Sequence, residues 1–153
     1  MTEGYKIGYW RFSAWFLGLS IAIPAVSFAL KAATGVELGQ FAGTIIPMIV
    51  ASMQEGVQFA RGTKRAPSGK ERLLIARMLT CIAIAWTSVL VFVTVLFAPQ
   101  IGVVLMSTLG PAVLMGLILF MIAIFFFMAW MFVGMGARNE MKLVSKDVTK
   151  DFE

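Results

Sequence analysis

A long run without formal charge is the feature that most constrains the fold of this chain. No Asp, Glu, Lys or Arg occurs from Met78 to Ala137, and the whole sequence contains no His. The run comes after the densest cationic stretch of the chain, the central loop Arg61–Arg72. A transmembrane helix needs about 20 mostly apolar residues, so the run is long enough for two. The pattern predicts a chain that enters a lipid bilayer.

The composition of the rest of the chain indicates further membrane-spanning segments. Hydrophobic residues make up 59% of the 153 residues, and the mean hydropathy is +0.88. We therefore predict an all-α, polytopic transmembrane bundle of four helices. They are expected at about 12–30, 38–60, 73–97 and 111–135, with a cytoplasmic amphipathic tail at 138–153. The first apolar segment exceeds the 7 to 15 residues of a signal-peptide core, so we expect it to be retained.

The last apolar segment needs an internal break. Residues 101–136 are too many for one perpendicular span at 1.5 Å per residue. Gly110-Pro111 divides the segment, and proline suits the first position of a helix. We expect helix 4 to begin at Pro111, and Ile101–Leu109 to form a lip, a re-entrant turn or a part of helix 4.

The positions of the cations predict the orientation. With a cytoplasmic N-terminus, 12 of the 13 Lys and Arg residues face the cytoplasm and only Lys31 lies outside. Cytoplasmic loops carry an excess of such residues, so we expect a multi-pass protein of the cell inner membrane with both termini cytoplasmic. The cations flank apolar segments instead of forming one patch, so no nucleic-acid partner is expected.

A polar cluster near the end of helix 2 is the main candidate site. Glu55 is a carboxylate inside a predicted span, which is costly and is a functional hypothesis by default. Gln54 and Gln58 lie beside it in sequence, and Arg77 on helix 3 is expected at nearly the same depth. We expect a Glu55–Arg77 ion pair. It would either join helices 2 and 3 or belong to a proton or cation relay.

Two prolines lie in the middle of predicted helices. Pro24 and Pro47 are expected to kink helices 1 and 2, because proline removes a backbone hydrogen bond. Such interruptions can mark a transporter cavity, but proline is also common in membrane helices, which favours ordinary kinks.

Small residues four positions apart predict where helices approach closely, either within the chain or between subunits. The pairs are Ala14 with Gly18, Ala76 with Thr80, and Ala112 with Gly116. The Phe-rich stretch 120–128 is apolar on every side, so part of it is expected to face lipid or, alternatively, another subunit.

Residues for catalysis or cofactor binding form no recognisable pattern. Without His, the chain cannot build a bis-imidazole haem or a His-ligated copper site. Cys81 is the only cysteine, which excludes an intrachain disulfide and a cysteine-based metal site. There is no glycine-rich phosphate loop or nucleophile elbow. We expect a protein that is not an enzyme and has no cofactor, metal site or catalytic residue.

The region around the central loop has a distinctive order of residues. It reads Gly56-Val57-Gln58-Phe59, then Arg61, Lys64, Arg65, Pro67 and Lys70-Glu71-Arg72, and then a long apolar helix. Over about residues 45–95 this resembles an uncharacterised family of small four-helix proteins of the proteobacterial inner membrane. The resemblance implies the topology and a bacterial setting, and it adds no site residue. Small multidrug transporters are shorter and carry their essential carboxylate in the first helix, where this chain has none.

Two functions fit these features. The first is an accessory or assembly subunit that acts by contact with other membrane proteins, or with further copies of itself, among the membrane lipids. The alternative is a small oligomeric transporter or channel that uses Glu55 on helix 2.

Overall fold

Four helices make up the fold in a computed structural model that describes residues 7–35 and 42–150. The helices are α1 (Tyr9–Thr34), α2 (Ala42–Thr63), α3 (Gly69–Phe97) and α4 (Pro99–Lys150). The prediction of an all-helical chain with four helices is confirmed. The expected start of helix 2 at residue 38 and the last three residues of the tail lie outside the described residues.

Helix α4 has a break where the sequence contains Gly110-Pro111. Gly110 has φ 65° and ψ 161°, which is outside the helical region and strained for any residue with a Cβ. The chain is helical before this glycine, over 99–109, and again from Pro111 to Lys150. The segment expected to be a lip is therefore a short helix of its own.

Three helical segments are long and apolar enough to cross a membrane. They are Tyr9–Thr34, Gly69–Phe97 and Gly110–Val144. The described part of α2 is less apolar because Gln54, Glu55 and Gln58 lie in its second half. These helices have the length and composition of an integral membrane protein.

The packing order of the helices differs from their order in the chain. The most extensive contact joins α2 to α4, followed by α3 with α4, α1 with α2, and α1 with α3. The helices therefore follow one another around the bundle in the order α1, α2, α4, α3. Helices α2 and α3 lie across the bundle from each other although they are consecutive in sequence.

The core is concentrated at one end of the bundle. It combines the start of α1, the end of α2, the start of α3 and the second half of α4, with buried side chains that include Phe12, Phe16, Met48, Phe59, Leu79, Ala83, Phe125 and Val133. The phenyl rings of Phe12 and Phe16 stack at 5.9 Å, and Phe125 meets Phe16 edge-on at 6.4 Å. We call this half of the bundle the basic end, because it carries the central cationic loop, and the other half the open end.

Helices α2 and α4 touch backbone to backbone at the basic end. A Cβ on Gly56 would overlap the carbonyl oxygen of Val133, and one on Gly136 would overlap the carbonyl oxygen of Met53. Neither glycine belongs to a small-residue pair singled out in the sequence. The close approach is possible only because both positions lack a side chain.

The three predicted small-residue pairs have different outcomes. Ala76 and Thr80 are buried on α3, as expected for a packing surface. On the other two helices, a Cβ on Gly18 or Gly116 would meet nothing within 4 Å. These two pairs make no close contact within the chain, and close packing against another subunit stays a prediction for them. Small residues permit an approach without setting which face of an apolar helix meets a neighbour.

Candidate functional site

Glu55 lies at the junction of α1 and α2. Its side chain is 1% exposed, and Oε1 accepts a hydrogen bond from Arg11 Nε at 3.2 Å. The backbone N–H of Gly8, the residue before α1, donates to Oε2 at 3.3 Å. The carboxylate is therefore held by a guanidinium and by the N-terminus of a helix, where a negative charge is stabilised by the helix dipole.

Arg77 does not join this site. Its side chain is exposed on α3, and the described ion pair of Glu55 is with Arg11. Depth alone suggested Arg77, but α2 and α3 lie across the bundle, whereas α1 is adjacent to α2. The expected Glu55–Arg77 pair is therefore corrected to a Glu55–Arg11 pair between α1 and α2.

The other predicted members of the cluster occupy different environments. Gln54 and Gln58 are both half-buried on α2. Pro47 is buried and Pro24 is exposed, and each lies inside its helix. Of the predicted polar cluster, only Glu55 is buried.

Two buried hydroxyls lie near the level of Glu55 without a partner. Ser52 is one helical turn from Glu55 on α2 and is fully buried, while Thr80 on α3 is 5% exposed. Neither Ser52 Oγ nor Thr80 Oγ1 has a hydrogen-bond partner. An unsatisfied buried polar group is destabilising, so these hydroxyls are notable features of the interior.

Two further ion pairs close the basic end, and neither was predicted. Arg61 donates to both carboxylate oxygens of Glu140 on α4, with Nε–Oε1 at 2.7 Å and Nη2–Oε2 at 3.3 Å. Arg65 makes a similar two-point contact with Glu71, at 2.6 Å and 2.7 Å. The hydrogen bond from Glu71 raises the pKa of Arg65 above its ordinary value. The Arg61–Glu140 pair has only a weak signal in the sequence, because the two residues are 79 positions apart along the chain.

The central loop is shaped by local hydrogen bonds. Ser68 and Glu71 form a capping box at the start of α3, with Ser68 N–H donating to Glu71 Oε2 at 2.8 Å. Arg72 Nε donates to the carbonyl oxygen of Pro67 at 3.1 Å, and its guanidinium lies against Gly134 of α4. The cations of the loop are thus partly engaged in fixing how α3 begins and where it meets α4.

Contacts between α1 and α3 set the relative depth of these helices. Trp86 Nε1 donates to Ser13 Oγ at 3.0 Å. The hydroxyl of Tyr9 lies 3.7 Å from the sulfur of Met78. The start of α1 is therefore level with the third turn of α3.

The open end contains a groove between α3 and α4. Its cavity volume is about 520 Å³, and its lining is apolar except for Thr87 and Ser88. Phe92 from α3 and Ile118 from α4 line it, and they are 64% and 56% exposed. A smaller cavity of about 260 Å³ lies between α1, α2 and α3. The hydroxyl residues in its lining are Ser20, Thr44, Thr87 and Thr94.

No metal-binding cluster is present in the described part of the chain, where no three His, Cys, Asp or Glu side chains come together. Comparison with known proteins yields no match to a family model, to a curated protein or to a solved structure. The proposed function therefore depends on the geometry of the basic and open ends.

Proposed function

We propose that this chain is an accessory or assembly subunit of a membrane complex, and that a transmembrane helix of another protein docks in the groove at its open end. The supporting observation is the exposure of both groove helices. Every residue from Val91 to Phe97 is exposed, as is every residue from Met115 to Phe120. Successive residues of a helix point about 100° apart, so these turns are uncovered on all sides.

The distribution of packing supports this proposal. Ion pairs and backbone contacts hold the basic end together, whereas the open end presents apolar side chains around a cavity. Lipid chains solvate single apolar faces well, but a groove between two helices also offers side-chain interdigitation to a third helix. A well-packed basic end and an exposed, apolar open end suit a protein that acts by contact with other membrane proteins.

The proposed setting follows the sequence pattern. We place α2 as the fourth span, because its neighbours α1 and α4 each contain a segment able to cross a membrane. The distribution of cations favours the inner membrane with the basic end and both termini cytoplasmic. The resemblance to small bacterial inner-membrane proteins agrees with that setting.

Site-specific photo-crosslinking in intact membranes tests the docking. A benzophenone-bearing phenylalanine analogue replaces Phe92 in the groove and, as a matched control, Phe28 on α1, which is 76% exposed and outside the groove. We expect one discrete adduct with a different membrane protein from position 92 and none from position 28. An adduct of twice the 16.7 kDa chain mass would favour a homo-oligomer. Equal labelling at both positions, or none, contradicts the proposal.

A small transporter or channel is the second candidate. The observation in its favour is a buried carboxylate, Glu55, one turn from the unpartnered hydroxyl of Ser52. Proton flux into vesicles containing the purified protein tests it, with Glu55→Gln as the variant and Glu140→Gln as the control. Flux lost only in the folded Glu55 variant would support a relay, whereas absence of flux in the unmodified protein leaves Glu55 a structural role.

A further inference from the structure

An uncovered stripe of α3 carries two cations at the basic end. Lys70, Arg77 and Cys81 are exposed, and Leu74 between them is 43% exposed. Their spacing of three, four and seven residues places them on one face of the helix. Arg77 lies two turns beyond Lys70, about 10.5 Å along the axis at 1.5 Å per residue.

Arg77 lies at the depth where a membrane changes from water to hydrocarbon. Contact of Tyr9 with Met78 brings the start of α1 level with Arg77. Tyr9 and its neighbour Trp10 are 54% and 85% exposed. Exposed Tyr and Trp side chains collect at the level of the lipid headgroups. Arg77 therefore reaches the headgroup region from α3, whose turns beyond Arg77 carry no formal charge.

The carboxylates whose side chains the structure describes are all engaged by other arginines. Three carboxylates have described side chains, and each forms an ion pair elsewhere: Glu55 with Arg11, Glu71 with Arg65, and Glu140 with Arg61. A charge on the lipid-facing side of a membrane helix is costly unless a counter-charge neutralises it. The counter-charge for Arg77 must then come from outside this set.

We infer that Arg77 and Lys70 form a binding site for the headgroup of an anionic phospholipid. The planar guanidinium of arginine binds phosphate through two parallel hydrogen bonds, and lysine adds a second positive charge. On the membrane side of Arg77 the same exposed face continues through Cys81 and Ala85, which gives the acyl chains an uncharged surface next to the guanidinium. This face is separate from the groove proposed for a partner, since neither cation lines that groove.

Native mass spectrometry of the full chain in mild detergent tests the site. Phosphatidylglycerol is titrated against phosphatidylcholine with the same acyl chains, and we expect preferential binding of the anionic lipid. One basic residue near a membrane surface contributes about a 5-fold gain in affinity, so Arg77→Gln should weaken phosphatidylglycerol binding about 5-fold. Arg77→Lys should fall between, because it keeps the charge but loses the two-point geometry.

The matched control is Lys64→Gln, which removes the same charge from an exposed loop position. Circular dichroism establishes that each variant is folded. Equal affinity for the two lipids, or equal losses in the Arg77 and Lys64 variants, overturns the site. Inorganic phosphate is added at constant ionic strength as a competitor. We expect it not to displace the lipid, and full displacement would assign a soluble anion in place of a phospholipid.

Discussion

A single methyl group added at Gly56 should force α2 and α4 apart. In Gly56→Ala the new Cβ overlaps the carbonyl oxygen of Val133 and lies only 2.9 Å from its carbonyl carbon and 3.0 Å from the nitrogen of Ala137. Carbon atoms in favourable contact are about 3.5–4.0 Å apart. All three obstructing atoms are backbone, so no side-chain rotation relieves the overlap.

The size of the effect follows from two opposing terms. Overpacking a closely fitted interior costs about 1–3 kcal/mol, occasionally more, and the backbone overlap puts this position at the upper end. Replacing glycine by alanine inside a helix returns up to about 1 kcal/mol. We therefore expect Gly56→Ala to lower the free energy of unfolding by about 2 kcal/mol, and Gly136→Ala to do the same against Met53.

Equilibrium unfolding in detergent, followed by tryptophan fluorescence, measures this change. Gly18→Ala and Gly116→Ala are matched controls, because their added Cβ meets nothing within 4 Å. They should be neutral or slightly stabilising. The double variant at Gly56 and Gly136 should lose less than the sum, since helices separated by one methyl already accommodate the other. Equal stability of Gly56→Ala and Gly116→Ala would refute the backbone contact.

Two further sets of substitutions test the interior of the basic end by the same unfolding measurement. Arg11→Ala leaves the buried Glu55 carboxylate without its guanidinium and should cost about 1–3 kcal/mol, below the full value for a buried pair because Arg11 is 42% exposed, whereas Arg77→Ala should cost nothing measurable. A larger loss from Arg77→Ala would contradict the α1–α2 assignment. Ser52→Ala and Thr80→Val remove unpartnered buried hydroxyls and should each stabilise the fold by up to about 1 kcal/mol. Destabilisation by both would mean that the hydroxyls have partners, such as buried water.

Hydropathy and backbone chemistry made much of the helix layout predictable. Long apolar segments predict helices wherever the chain is uncharged. Gly110-Pro111 marked the break in α4, because glycine tolerates a positive φ and proline suits the first position of a helix. The relative placement of α2 and α3 was not predictable in the same way. Consecutive helices are usually neighbours, but here α4 occupies the position beside α2.

The partner of Glu55 illustrates the same limit for the site. Arg11 and Arg77 both lie near the basic end, so depth did not distinguish them. The order of the helices around the bundle distinguishes the two arginines, because α1 is adjacent to α2 and α3 is not. The helices are apolar on so many sides that their sequences do not specify this order. The close contact of α2 with another helix did have a signal in the sequence. Ser52, Gly56 and Ala60 are small residues that recur every four positions on α2, and all three are buried.

The contact between α2 and α4 has a consequence for biosynthesis. Val133 is made 77 residues after Gly56 (133 minus 56), which at about 5–20 residues per second is a delay of roughly 4–15 seconds. During that interval α2, the most polar of the helices, has α1 and its ion pair but lacks the surface that will cover most of it. Insertion machinery or a membrane chaperone that shields α2 until α4 emerges would therefore govern the yield of folded protein.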